Sequence, residues 1–208
     1  MTATGTIVIL NGAPRSGKSS IAAAIQEQFD GIWMNLGVDA FAGTVTPARY
    51  RPGIGLRPGG ERPDLEAALP TMFAALYESI AAHSRLGLNV VADVGHHESY
   101  SRPLGILADC ARRLSGLPVL FVGVRCPIDV IMQRREQDVA GRHYLKGSRE
   151  DPVPEPVRRW QEAVHAHGQY DLEVDTSVLS PTQCAETIRA RLTSRASAFQ
   201  RLAATQTD

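Results

Sequence analysis

The chain has three cysteines in 208 residues, no excess of either charge and no apolar run near 18 residues. Cys110, Cys126 and Cys184 are odd in number, far apart and form no C-x-x-C pair, so neither a disulfide framework nor a cysteine zinc site is encoded. Buried thiols in a reducing compartment are expected instead. Lys plus Arg number 22 and so do Asp plus Glu, so no global basic field draws the chain to nucleic acid. Any basic site must be local. No stretch is long enough to cross a bilayer as a helix, and the first residues lack the charged start and apolar core of a secretion signal. A cytoplasmic protein with no membrane and no nucleic-acid partner is expected. No internal repeat is visible. With 43% hydrophobic residues the chain can bury one substantial core, and a single domain over residues 1–208 follows.

What is present begins at Gly12. Residues Gly12, Ala13, Pro14, Arg15, Ser16, Gly17, Lys18 and Ser19 match G-x-x-x-x-G-K-[ST], after the apolar run Thr6 to Leu10 and before the alanine-rich segment that starts at Ser20. In a strand–turn–helix context, successive backbone N–H groups curl round phosphates and the helix offers them its positive end. Gly12 and Gly17 allow the tight path. Lys18 is expected to bridge the β and γ phosphates of ATP, and the Ser19 hydroxyl to help hold Mg²⁺.

Further strands are expected at Ile32 to Leu36, Leu88 to Asp93, Pro118 to Val124 and Tyr170 to Thr176. Helical spacing runs from Leu65 to Leu86, Pro103 to Leu114, Pro127 to Glu136, Pro156 to Ala166 and Pro181 to about Leu202. Alternating strands and helices imply an α/β fold: a five-stranded parallel sheet covered on both faces, three layers in all. The last helix carries enough apolar residues to contribute to a homo-oligomer interface. The Gly- and Arg-rich segment at about 44–63 reads as a long loop on the substrate side.

Ligands of such sheets sit beyond the carboxyl ends of the strands, where Asp39 and Asp93 fall. Asp93 either supports the Mg²⁺ shell with Ser19 or caps a helix. Asp39 either accepts the proton of an attacking hydroxyl or caps a helix starting at Ala40. Charge spreading over a transferring phosphoryl group calls for converging cations on a segment that can exclude water. Arg134, Arg135, Arg142, Lys146 and Arg149 supply them, with a mobile lid at about 127–156; Arg134 and Arg142 are the leading candidates. Arg125 either clamps adenine or anchors a strand end. His96 and His97 beside Asp93 point in different directions and lack a suitably spaced third ligand, so contact with the substrate or an ordinary loop is expected of them rather than a metal site. Phe41, Met72, Phe73 and Tyr77 either line an apolar acceptor pocket or pack in the core, as do Trp33 and Trp160.

Taken together, Ile9 to Gly12, Ser16 to Ser19, Gly37-Val38-Asp39, Val122-Gly123-Val124-Arg125-Cys126 and Tyr170 to Thr176 resemble chloramphenicol 3-O-phosphotransferase and its relatives. The phosphate loop is widely shared; the GVD, GVRC and YDLEVDT strings are more particular. The resemblance implies a P-loop nucleotide-kinase-like fold, ATP and Mg²⁺, and transfer of the γ-phosphoryl group to a hydroxyl of a small molecule. It also makes Asp39 the base, Asp93 the carboxylate after the third strand and the Arg134 region the lid. An antibiotic acceptor, chloramphenicol-like or nucleoside, is the leading expectation. The stretch Asp93-Val94-Gly95-His96-His97, the 44–63 loop and Asp151 to Pro156 depart from the family pattern where an acceptor would be read. The alternatives are a kinase of a metabolic or sugar-nucleotide substrate, as in zeta-toxin-like proteins, and a non-catalytic nucleotide switch. No N-K-x-D string supports the switch.

Overall fold

The computed structural model describes residues 3–137, 145–192 and 198–204. Strands β1 (Ile7–Asn11), β2 (Trp33–Asn35), β3 (Asn89–Val94), β4 (Val119–Arg125) and β5 (Leu172–Asp175) form one sheet in the order β2-β3-β1-β4-β5, with every pairing parallel. All five expected strands are present. The apolar runs of β1, β3 and β4 have one cause: each is buried on both faces, so alternation would place polar groups in the core.

On one face pack α1 (Lys18–Gln28) and α8 (Pro181–Arg191), burying Ile21, Ile25, Cys184 and Ile188 against Val8, Leu10 and Val122. The other face carries α4 (Leu69–Arg85), α5 (Ile106–Arg113) and α9 (Ala198–Ala204), whose Phe73, Tyr77, Cys110 and Phe199 cover Ile7, Ile9 and Phe121. A third cluster joins Ala13 to α6 (Ile128–Glu136) and α7 (Glu155–Ala163). The short segments α2 (Val38–Ala40) and α3 (Pro63–Glu66) flank the substrate side. Among the described residues no helix is long and apolar enough to cross a membrane.

Three helices differ from expectation. Pro70 sits in the first turn of α4, and its missing N–H separates α3 from α4 where one helix from Leu65 was expected. α5 starts at Ile106 rather than Pro103, because Glu98 accepts from the N–H groups of Leu104, Gly105 and Leu107 and so caps the helix from a distance. The C-terminal segment gives α8 on one face of the sheet and α9 on the other, with Asp171 accepting from the Ala198 and Phe121 N–H groups. Among its described residues Cys184, Ala185 and Ile188 join one core and Ala198, Phe199 and Leu202 the other.

The 44–63 segment is not a loose loop. It folds into a π turn at Phe41–Val45 and 3₁₀ turns at Ala48–Tyr50 and Gly53–Gly55, and it buries Ile54 and Leu56 against the α4 side of the core.

Candidate functional site

The phosphate loop takes its shape from two glycines. A Cβ on Gly12 would lie 2.6 Å from the Val124 carbonyl oxygen and 2.8 Å from Ser16 Oγ, and Gly17 has φ +96° where it caps α1. Arg15 is the only described non-glycine residue with positive φ, at 72°. α1 begins at Lys18, so its unpaired N-terminal amides face the hollow of the loop. Lys18 Nζ donates to the carbonyl oxygens of Gly12 (2.8 Å) and Ala13 (2.9 Å). Burial pulls the Lys18 pKa down, while the charges of Asp93 and Asp39 oppose that shift.

Asp93 ends the apolar part of β3, and parallel register sets it beside Leu10, two residues before the loop begins. Its Oδ2 accepts from Ser19 Oγ at 2.8 Å. No helix follows β3 directly, so the capping alternative for Asp93 falls. Gly37 makes the arrangement possible, since a Cβ there would sit 1.6 Å from Asp93 Oδ1. Asp39 is not a cap either: Gly37 holds that position, and Asp39 lies inside the first turn of α2.

These groups surround one cleft of about 570 Å³, within the range of small-molecule sites. Pro14, Gly17, Lys18, Ser19 and Ser20 line the loop side; Val38, Asp39 and Ile54 stand opposite. Asp93, Val94 and Gly95 also line it, and Trp160, Arg134 and Thr176 complete it.

Several expectations need correction. His96 is 1% exposed and faces the core: Nε2 and Tyr77 Oη are hydrogen-bonded at 2.6 Å, and the ring lies 4.9 Å from Phe73. Desolvation lowers its pKa to about 3, so it is a neutral packing residue and not one that touches substrate. Phe41 and Met72 pack against the core around Phe73, the second of their two expected roles, and Phe41, expected to touch substrate, is not among the residues that line this cleft. Arg134 does line the cleft, but as a brace. Its Nη1 donates to the Arg15 carbonyl (3.2 Å) and Thr176 Oγ1 (3.0 Å), its Nη2 to the Thr176 carbonyl (2.7 Å), and Arg15 Nη2 donates back to the Arg134 carbonyl. Arg125 pairs with Glu173 across β4 and β5 at 2.5 Å, which favours the strand anchor over the adenine clamp. Arg142 lies outside the described residues, as does part of the expected lid.

Sequence reasoning gave no role to Asn11 or Thr176, and it left Trp160 open between core packing and ligand contact. Asn11, fully buried, donates through Nδ2 to the Val164 carbonyl and Tyr170 Oη (both 2.9 Å) and accepts from the His96 N–H at 2.7 Å, fixing the backbone where the loop starts. Thr176 Oγ1 donates to the Ser16 carbonyl at 2.7 Å, tying the loop to the end of β5. Trp160 reaches the cleft from α7. Asn11 and Thr176 did carry a signal, as members of the Ile9 to Gly12 and YDLEVDT strings.

Comparison with known proteins agrees with this geometry. Proteins of two Mycobacterium tuberculosis strains that carry an O-phosphotransferase name are 30% identical to the chain over 195 residues, covering 83% of it and 76% of their own length. Among solved structures, the Deinococcus radiodurans tunicamycin resistance protein superposes with a TM-score of 0.59 at 18% identity, covering 92% of this chain and 98% of its own. The Mycobacterium tuberculosis APS kinase, in complex with AMPPNP and APS, gives 0.57 at 16% identity over 92% and 99%. Acinetobacter baumannii shikimate kinase, in complex with shikimate, gives 0.58 at 14% over 89% and 92%. These likenesses show the P-loop kinase fold. The family described as chloramphenicol phosphotransferase-like protein matches residues 5–193, so the chain belongs to that family and is a phosphotransferase acting on a hydroxyl group.

Proposed function

We propose that the chain transfers the γ-phosphoryl group of ATP to a hydroxyl of a small-molecule antibiotic, chloramphenicol-like or nucleoside, and so confers resistance in the cytoplasm. The observation that carries this reading is the single cleft that Lys18, the Ser19–Asp93 pair and Asp39 line together. Mg²⁺ fits the residues present: a serine hydroxyl and a carboxylate already in contact at 2.8 Å are the hard oxygen donors such an ion takes beside nucleotide phosphates. When bound, it neutralises charge on the β and γ oxygens.

The chain's own groups do the rest. Lys18 leaves the Gly12 and Ala13 carbonyls for the phosphates, and the loop amides hold them. Asp39 takes the proton of the acceptor hydroxyl as its oxygen forms the new bond to the γ phosphorus. The bond from that phosphorus to the bridging oxygen breaks, and ADP leaves with the electron pair. Arg134 acts indirectly, by bracing the loop through Arg15 and Thr176; Arg142 remains the candidate lid cation.

The antibiotic acceptor is supported by the family and by the likeness to a tunicamycin resistance protein. A metabolic acceptor is the second reading, because Phe73 belongs to the core cluster and Phe41 packs against it, which leaves them to the core. The test is ADP release with Mg·ATP across hydroxylated antibiotics and nucleosides, with mass detection of a phosphate on each acceptor. A phosphorylated antibiotic is expected. Stimulation only by a metabolite transfers the proposal to that substrate, and silence throughout defeats it.

A further inference from the structure

One polar group in the cleft is not used by the phosphotransfer chemistry. Trp160 projects from α7 into the lining shared by Asp39, Asp93 and the phosphate loop. Its Nε1 is buried and finds no hydrogen-bond partner among the described residues. The position of that N–H is defined on two sides. A Cβ added to Gly95 would lie 3.5 Å from Nε1 and 3.6 Å from the Gly12 carbonyl oxygen, so the indole edge sits where the end of β3 meets the first residue of the loop. Behind it, the His97 ring meets the indole edge-on at 6.1 Å and lies 4.4 Å from Tyr100, while His97 Nε2 is 3.0 Å from the Leu56 carbonyl oxygen. The indole is therefore backed by packed groups rather than swinging freely. Leaving a buried N–H unpaired costs about 1–3 kcal/mol, a cost that an oxygen on a bound molecule would remove.

We infer that Trp160 recognises the phosphoryl acceptor: its indole walls the acceptor half of the cleft, and its Nε1–H donates to an oxygen of an uncharged small molecule that carries the attacking hydroxyl. This rests on the phosphotransferase reading above. Two further observations define the acceptor's chemistry. Val38, Ile54 and Val94 offer apolar surface in the same cleft. Asp39 and Asp93 bring two carboxylates, and an acceptor with its own phosphate or carboxylate would meet both. The favoured acceptor has an apolar face and, besides its reacting hydroxyl, a second oxygen placed to accept from the indole.

W160F is the informative substitution, because it keeps an aromatic wall, though a smaller one, and removes the donor. With any acceptor that the panel shows to be phosphorylated, W160F should raise the acceptor KM about five- to tenfold, and the KM for ATP should stay within about twofold. A rise in the ATP KM instead, or no change in either, overturns the assignment. A melting curve matching the parent separates lost recognition from lost folding. Shikimate, tested as an anionic hydroxyl acceptor, should not turn over; if it does, the uncharged acceptor is wrong. The chain has only one other tryptophan, Trp33, packed on Phe29 in the core, so W33F leaves Trp160 as the sole tryptophan, which can be excited selectively over the tyrosines. Its emission should shift with members of the panel added after AMPPNP and not with AMPPNP alone. If no compound is phosphorylated, the phosphotransferase proposal fails, and this emission decides the Trp160 assignment separately. A shift with a panel compound retains it as a binding residue; no shift, or a shift with AMPPNP alone, removes it.

Discussion

Replacing Gly37 by Ala should disable the site without replacing any group that does chemistry. The backbone at Gly37 has φ −84° and ψ 168°, which any residue adopts, so conformational strain contributes nothing. The effect is steric. The new methyl would begin 1.6 Å from Asp93 Oδ1, so the carboxylate must retreat by about 1.4 Å to reach the closest separation real Cβ atoms show. β3 pairs with β1 and β2 and cannot shift that far, so the Asp93 side chain must rotate and its 2.8 Å bond with Ser19 breaks. Overpacking of this kind costs about 1–3 kcal/mol, a fall of roughly 3–10 °C in melting temperature for a chain of this size. The larger consequence is functional: displacing a group that orients a metal site typically costs about 10- to 100-fold. G37A should therefore raise the Mg²⁺ concentration giving half-maximal ADP release by that factor. Gly43 supplies the control, because a Cβ there meets nothing within 4 Å. G43A should behave as the parent. A G37A protein with parental Mg²⁺ dependence would refute the claim that the Asp93 position holds the ion.

Three other substitutions or conditions test separate parts of the reasoning. D39N should bind AMPPNP like the parent in calorimetry while acceptor phosphorylation falls by about 10²- to 10⁴-fold; near-normal transfer would remove Asp39 as the base. T176V keeps the shape of the side chain but leaves the Ser16 carbonyl without its 2.7 Å donor, and the ATP KM should rise severalfold, about 1 kcal/mol of lost loop order. An unchanged KM would mean that Arg134 holds the loop alone. Burial holds His96 neutral down to about pH 3, and His165 and His167 down to about pH 4, against 6.5 when unfolded. The unfolded chain then binds more protons, so stability present above about pH 6.5 is lost as pH falls toward 4. Melting temperature should drop across that interval and drop less in H165Q; a flat profile from pH 7 to 5 would contradict it.

How legible each feature was in the sequence follows from the range of the interactions that set it. The three inner strands could be read from their apolar runs, because burial on both faces leaves no room for polar residues, and the edge strands β2 and β5 from their place in the alternation with helices. The phosphate loop could be read because its backbone path demands glycine at Gly12 and Gly17 wherever the rest of the chain goes. Asp39 and Asp93 could be proposed because parallel strands end on one side. What the sequence could not say was which way side chains turn once elements pack. Asp93 and His96 are three residues apart: one carboxylate meets Ser19 across the cleft, while the imidazole turns into the α4 layer against Tyr77. Arg134 looks like a mobile cation in a charge run, and only the arrival of Thr176 from β5 makes it a brace. Trp160 is 65 residues from Gly95 in sequence, and nothing local says that α7 delivers its indole to the end of β3. Composition, periodicity and backbone demand thus determined the sheet, the loop and the two carboxylates; contacts between distant segments decided which side chains line the cleft, because only the packed chain sets their directions.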